Sequence, residues 1–385
     1  MKILFITVGL YTGGAEIMLF HLLSRINQER FKPIVISLMD SGTIGERIES
    51  LGIPVHTIGM HPGKVTPISV WKLLRTVSKI KPDVIQGWMY HGNIAANFFK
   101  IFSFQKIPII WCIHHSINSL KSEKKLTQAL IRFGTFISQT TEKIIFVSRK
   151  SKIQHQLLGY CPNKICVIPN GFDTLLYKPS NTARLKLREE LGLPEDSFLI
   201  GLVCRYHPMK DHTNFLKAAA LLSEKFASVK FVLAGRDVDY KNQILSQQIN
   251  EFNLVDKVYL LGERHDTSQL IAALDIMSLA SAYGEAFPLV IGEAMSCGVT
   301  CVVTDVGDSS WIVGDTGRVV PPQNPNALAN AWQELIIMSS EERLALGKAA
   351  RERVIESFSL DFVVEQYEKL YDQIRNNNST YKVTN

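Results

Sequence analysis

Glu285 and Glu293 have seven residues between them in the stretch 281–298, SAYGEAFPLVIGEAMSCG. Glu285 falls in a glycine-containing loop. Pro288 stands where a helix can begin, because its missing N–H is an orphan there anyway, and Gly298 supplies a helix stop. The helix so predicted carries Glu293 on its second turn, toward the cleft that Glu285 enters from the loop. Its N-terminus would offer unpaired N–H groups and partial positive charge, a seat for phosphate. A phosphate seat between two carboxylates that accept hydroxyls suits a sugar nucleotide. Spacing alone also fits two solvated glutamates on a helix surface, so the rest of the chain must decide.

Arg205 and Lys210 lie five apart on a loop between a predicted strand and a predicted helix. Two cations there can clamp a diphosphate and neutralise charge growing on it as it leaves. A solvated basic loop is the bland alternative. The clamp is favoured because this loop and Glu285 share the carboxyl edge of one predicted sheet. His91 follows one strand of the first half, and His114 and His115 follow another. Ligands in open α/β sheets gather beyond such strand ends, although a histidine there is as often hydrogen-bonded structure. With no third ligand at helical spacing, no metal site is read. The turn 9–14, GLYTGG, can approach an anion. It is neither G-x-G-x-x-G nor followed by a Walker lysine, which argues against a nicotinamide dinucleotide or ATP.

Positioning these residues takes strands alternating with helix-length segments, the pattern of parallel sheets covered by helices. The first half predicts strands over Ile3–Val8, Lys32–Leu38, Pro54–Ile58, Val84–Gln86, Pro108–Ile113, Ile144–Val147 and Ile165–Ile168. The turn 168–173, IPNGFD, separates two domains. The alternation then restarts with strands over Phe198–Val203, Lys230–Ala234, Val258–Leu261, Ile276–Leu279, Thr300–Thr304 and Gly317–Val320. Helices follow at 326–338 and 341–357. A last helix, 360–375, crosses back to the first domain, and the polar tail after it is expected to fray.

At 385 residues, two domains are the default expectation. Residues 1–172 hold 21 Lys and Arg against 8 Asp and Glu, or +13, and residues 173–385 hold 21 against 28, or −7, matching the overall +6. A basic half implies an anionic partner. No basic-aromatic recognition motif supports nucleic acid, which leaves an anionic membrane face or a pyrophosphate-bearing acceptor. Four phenylalanines within 98–104 and the basic-then-apolar segment 121–140 are the candidate membrane-facing elements, with packing on the sheet as the alternative. The six cysteines form no C-x-x-C pair, as expected in a reducing cytoplasm. The apolar start reads as a strand, not a signal peptide. No run reaches the ~18–20 apolar residues of a spanning helix. A cytoplasmic protein, peripheral at the inner membrane face, is expected.

Gly13-Gly14-Ala15-Glu16, Ile168-Pro169-Asn170-Gly171-Phe172-Asp173, Arg205 with Lys210, and Glu285 with Glu293 occur in one order along nearly the whole chain. In that order they resemble glycosyltransferase family 4, the retaining GT-B enzymes. The resemblance implies two Rossmann-like domains facing a cleft: 1–172 with helix 360–375 for the acceptor, and 173–359 for the nucleotide-sugar donor. It implies that Arg205 and Lys210 hold the diphosphate, that Glu285 binds hydroxyls of the sugar, and that Glu293 binds the ribose. Backbone N–H groups of Ala286, Phe287 and Leu289 would seat phosphate and sugar. Gly13 and Gly14 would close on the diphosphate, and His114 (or its neighbour His115) would lie near the sugar, with His91 and His115 the candidates on the acceptor side. Two positions depart from the family pattern: Cys204 stands where glycine is usual, and Pro288 where glycine or a small residue is.

The implied reaction moves a hexose from a UDP- or GDP-sugar to a glycan or lipid-linked acceptor hydroxyl, with retention and without metal or other cofactor. The leaving diphosphate takes the acceptor proton, so no carboxylate nucleophile is needed, unlike in the paired-carboxylate hydrolases. A GT-B epimerase or phosphorylase keeps the fold and changes the reaction, but a phosphorylase needs a pyridoxal-bearing lysine and a longer chain. A catalytically silent scaffold would be expected to have lost Arg205, Lys210, Glu285 or Glu293, and all four are present.

Overall fold

The computed structural model describes residues 1–102, 107–117 and 119–383. The chain divides into two compact units, Met1–Gly171 with the segment from Leu360 onward, and Phe172–Ser359.

In the first unit seven parallel strands are β1 (Lys2–Thr7), β2 (Lys32–Ser37), β3 (Val55–Thr57), β4 (Val84–Trp88), β5 (Ile109–Ile113), β6 (Lys143–Phe146) and β7 (Ile165–Val167). Their order is β3-β2-β1-β4-β5-β6-β7. The central strands are apolar on both sides because helices cover both faces. Met18, Leu22, Val363, Tyr367 and Tyr371, from helices Gly14–Arg25 and Leu360–Val383, meet Phe5 and Cys112 on one face. Leu73, Val77, Ala96, Phe99 and Ile131, from helices Pro67–Ile80, Met89–Phe102 and Lys125–Ile137, meet Ile6 and Trp111 on the other. The last helix thus belongs to this unit, and its Tyr371 hydroxyl donates to Gln86 Oε1 at 2.7 Å.

That helix runs to Val383, past the expected end at 375 and through the tail expected to fray. Once a packed stretch has nucleated a helix, extending it costs little even through polar residues. The phenylalanine segment divides between the two readings offered for it, packing on the sheet and facing outward. Phe99 is buried in the core and Phe98 stays exposed, while the Phe102 side chain and Phe104 lie outside the described residues. No helix among the described residues is long and apolar enough to cross a membrane.

The second unit has six parallel strands: β8 (Leu199–Val203), β9 (Lys230–Ala234), β10 (Val258–Leu260), β11 (Ile276–Leu279), β12 (Thr300–Thr304) and β13 (Arg318–Val320), ordered β10-β9-β8-β11-β12-β13. Its core is built on Phe215, Phe231 and Trp332, with Phe215 and Trp332 rings 5.0 Å apart, edge to face. The helices expected at 326–338 and 341–357 span Pro325–Ile337 and Ser340–Phe358. A fully buried Arg188 pairs with Asp275 at 2.7 Å, and Asp275 also accepts the Leu199 N–H at 2.7 Å, fixing the start of β8.

Candidate functional site

In the second unit β8 and β11 are neighbours, but the strands following them in sequence lie on opposite sides. Loops leaving such a pair diverge and open a crevice at the carboxyl edge. Lys210 closes the short turn Pro208–Lys210 after β8. The turn is held because His207 Nδ1 accepts the Met209 N–H at 3.2 Å. Asp211, in the left-handed region at φ 49°, caps the next helix by accepting the Asn214 N–H at 3.1 Å.

Glu285 arrives on the loop after β11, only 7% exposed. Its Oε1 accepts from the Lys210 ammonium and from the Ser281 hydroxyl, the latter at 2.6 Å. The two loops are tied by the Ala282 N–H to Met209 O at 2.8 Å. Gly284, at φ 79°, would put a Cβ 3.0 Å from the Met209 methyl. Behind them the Asp308 N–H donates to Ala286 O at 3.0 Å. Arg205 stays on the exposed surface of its loop.

The helix Leu289–Ser296 begins one residue later than a proline at its first helical position would require: Pro288 is the cap, at φ −68°, with no side-chain cap bond. Its first-turn N–H groups, Leu289's among them, therefore have no partner within the helix. Phe287 anchors the loop, stacked on Phe172 at 6.0 Å and edge-on to Trp311 and Phe358, and Ala286 beside it is buried. The helix closes on Gly298 at φ 71°, with the Val299 N–H reaching Ala294 O at 3.0 Å, a glycine-terminated cap.

Glu293 sits on this helix and takes a hydrogen bond from the Tyr177 hydroxyl. Burial pushes its carboxyl up to about 7, with the Tyr177 bond opposing. The hydroxyl of Tyr177 also lies 3.4 Å from Thr267 Oγ1. Sequence reasoning missed Tyr177 and Ser281. Ser281 stood within the motif stretch and could have been found there, whereas no local signal marks Tyr177.

In the first unit the switch point falls between β1 and β4. Gly13 caps the helix Gly14–Arg25 in extended conformation, and a Cβ on it would lie 2.4 Å from Glu16 Oε2. The Glu16 carboxyl therefore folds back over that helix start. Burial raises its pKa, and its own backbone N–H opposes the rise. His91 lies on the first turn after β4, and burial lowers its pKa. His114 follows β5 with its ring 4.5 Å from Trp88 and its Nε2 3.2 Å from Cys112 Sγ. Burial pushes it down to about 3 against a contact with Asn170, so it is a neutral imidazole at pH 7. His115 is differently employed, its Nε2 2.9 Å from Glu123 Oε1.

Two family models match in tandem: Glycosyltransferase Family 4 over residues 12–175 and Glycosyl transferases group 1 over residues 183–353. The chain is 27% identical over 315 residues to the UDP-Gal:alpha-D-GlcNAc-diphosphoundecaprenol alpha-1,3-galactosyltransferase of Escherichia coli, covering 79% of this chain and 78% of that one. It is 28% identical over 296 residues to the N-acetyl-alpha-D-glucosaminyl L-malate synthase of Bacillus anthracis, covering 75% and 74%. Among solved structures, Anabaena HepE in complex with UDP superposes with TM-score 0.85 at 26% identity, over 97% of this chain and 100% of that one. With one family model on each of its two parallel-sheet units, the chain belongs to the GT-B glycosyltransferases of group 1 and family 4.

Proposed function

We propose that the protein transfers a hexose from a UDP-sugar, with retention at the anomeric carbon, to a hydroxyl of a lipid-linked acceptor at the cytoplasmic membrane face. Residues 173–359 take the donor, and residues 1–172 with the last helix take the acceptor. The observation that carries this reading is the convergence of Lys210, Ser281 and Glu285 beside the uncapped helix at Leu289, on the switch-point edge of one sheet. The UDP complex of HepE supports the nucleotide. The diphosphoundecaprenol acceptor and alpha linkage in the E. coli relative's name support the acceptor class and the stereochemistry.

In this mechanism Arg205 and Lys210 bind the diphosphate, helped by the amides of Ala286, Phe287 and Leu289 and by the Gly13-Gly14 turn. Glu285, held by Lys210 and Ser281, accepts hydroxyls of the sugar, and Glu293 accepts those of the ribose. Neutral His114 hydrogen-bonds a sugar hydroxyl, and His91 serves the acceptor. His115, engaged with Glu123, orients that loop. The acceptor oxygen forms its bond to C1 on the face from which the C1–oxygen bond to diphosphate breaks, and the acceptor proton passes to the departing diphosphate oxygen. Arg205 and Lys210 supply positive charge where the negative charge grows.

No metal or other cofactor is required on this reading, so turnover of UDP-sugar should survive a chelator. Loss of turnover in chelator, restored by manganese, overturns the metal-independent part. A thermal-shift panel of nucleotide diphosphates and their sugars tests the donor, because a ligand that binds only the folded state raises its stability. Stabilisation by GDP-sugars alone would replace the base. No response in folded protein would favour a silent scaffold.

A further inference from the structure

In the first unit β4 ends on Trp88, and its neighbours in the sheet are β1 and β5. The glycine turn leaves β1 and His114 follows β5, so Trp88 stands between them. Its side chain is fully buried and touches both. The Nε1–H donates to Ala15 O at 2.9 Å, in the first turn of the helix that Gly13 caps. The ring lies 4.5 Å from the His114 imidazole, with the two planes 37° apart. Phe5 meets the same ring edge to face at 6.3 Å and keeps it from turning.

The next residue is strained. β4 passes into the helix Met89–Phe102 with no residue between them. Met89 takes that change of direction in the left-handed region, at φ 63°. Among the described residues six non-glycines have positive φ, and Met89 alone of them is apolar. Asn and Asp tolerate that region, but a methionine there costs free energy that its surroundings must offset. Glycine would avoid the cost, but it would bring no side chain. Met89 uses its own, since the His114 N–H donates to Met89 Sδ at 3.4 Å. One turn further on, buried Asn93 pairs with the N–H and the carbonyl of Cys112, each at 3.3 Å. The end of β5 is thus gripped from β4's side at Cys112 and again at His114.

Packing alone would be served by glycine at 89 and any large apolar side chain at 88. The strained thioether and the indole N–H go beyond packing, and each ends on a group assigned to the donor. We propose that Met89 and Trp88 are positioning residues: Met89 fixes the placement of His114 for the donor sugar, and Trp88 holds that imidazole and the glycine turn in one frame. The proposal rests on the reading that His114 meets the sugar and the Gly13-Gly14 turn meets the diphosphate.

The test is the calorimetric affinity of the full chain for UDP, UDP-glucose and UDP-galactose, with a thermal melt certifying the fold of each variant. Met89→Gly removes the thioether and supplies the residue that adopts positive φ freely, so it should fold. His114→Ala and Met89→Gly should each lower the affinity for the better UDP-sugar, relative to UDP, about fivefold, as loss of one hydrogen bond does. The double variant should be no worse than His114→Ala, because both changes act through one imidazole. Equal losses for UDP and UDP-sugar, or losses that multiply in the double variant, mark a merely structural residue and overturn the role of Met89. Trp88→Phe keeps a ring beside His114 and loses the N–H, so it should weaken UDP about threefold and keep the sugar-to-UDP ratio. Unchanged UDP affinity in that variant overturns the tie to the turn. His114→Ala with an unchanged ratio overturns the role of His114, and the proposal with it. A folded parent chain that binds no UDP overturns the donor reading itself.

Discussion

At the scale of residues, the ion pair Lys210–Glu285 places a cation that can hold diphosphate against a carboxylate that can hold sugar. Lys210→Ala removes the charge that would stabilise the leaving group and leaves Glu285 buried without its cation. UDP-sugar turnover is expected to fall by about 10²-fold or more in kcat, and a change confined to KM would refute that role. Glu293 gives a pH prediction. Its folded pKa, about 7, lies above its ordinary value of 4.5. Below 4.5 both folded and unfolded forms are protonated and burial exacts no ionisation cost. As pH rises from 4.5 to 7 the unfolded chain gives up its proton first, so stability declines by on the order of 3 kcal/mol and levels off above 7. Urea melts at pH 5 and pH 7.5 should show this decline, and Glu293→Gln should flatten it. UDP-sugar affinity should move the opposite way, strengthening as Glu293 ionises and accepts ribose hydroxyls.

At the scale of elements, the helix Leu289–Ser296 is set by what it packs on. A Cβ on Gly292 would lie 2.1 Å from the Phe172 ring, and that ring is itself stacked on Phe287. Gly292→Ala must push the helix and the Glu285 loop apart, and a loss of about 1–3 kcal/mol is expected from overpacking. Denaturant midpoints measure the loss, and UDP affinity should drop with it because the seat is displaced; an unchanged midpoint would mean that Phe172 yields freely. Much at this scale was readable in advance. Gly298 marked the helix stop, and strand starts and ends fell within a residue or two of alternating apolar runs. Which of Phe98 and Phe99 packs on the sheet stayed open in the sequence, because burial depends on which helix face meets the sheet, and a seven-residue window does not reveal that.

At the scale of the whole molecule, the last helix completes a unit begun more than three hundred residues earlier. Val363, Tyr367, Tyr371 and Ile374 are buried in the first unit's core. Each such side chain contributes about 1.5–3 kcal/mol by its burial, so a chain ending at Ser359 should lose the cooperative melt of the first unit and expose an apolar face. Calorimetry and dye binding would detect this, and a truncated chain melting like the full one would contradict it. The charge contrast between halves also belongs to this scale, because net charge governs which surfaces a protein meets rather than how it folds.

The linear chain determined the two-sheet α/β architecture and the residue types of the candidate site, because strand periodicity, helix stops and turn glycines are local properties of neighbouring residues. The tertiary structure decided which of those residues meet. It joined Lys210 to Glu285 and Ser281, and brought Tyr177 to Glu293 from far upstream. It also turned Glu16 over its own helix start and gave His115 to Glu123 while leaving His114 against Trp88. Such pairings, and the burial that moves Glu293 up and His114 down, depend on distances across the fold, which no window of sequence contains.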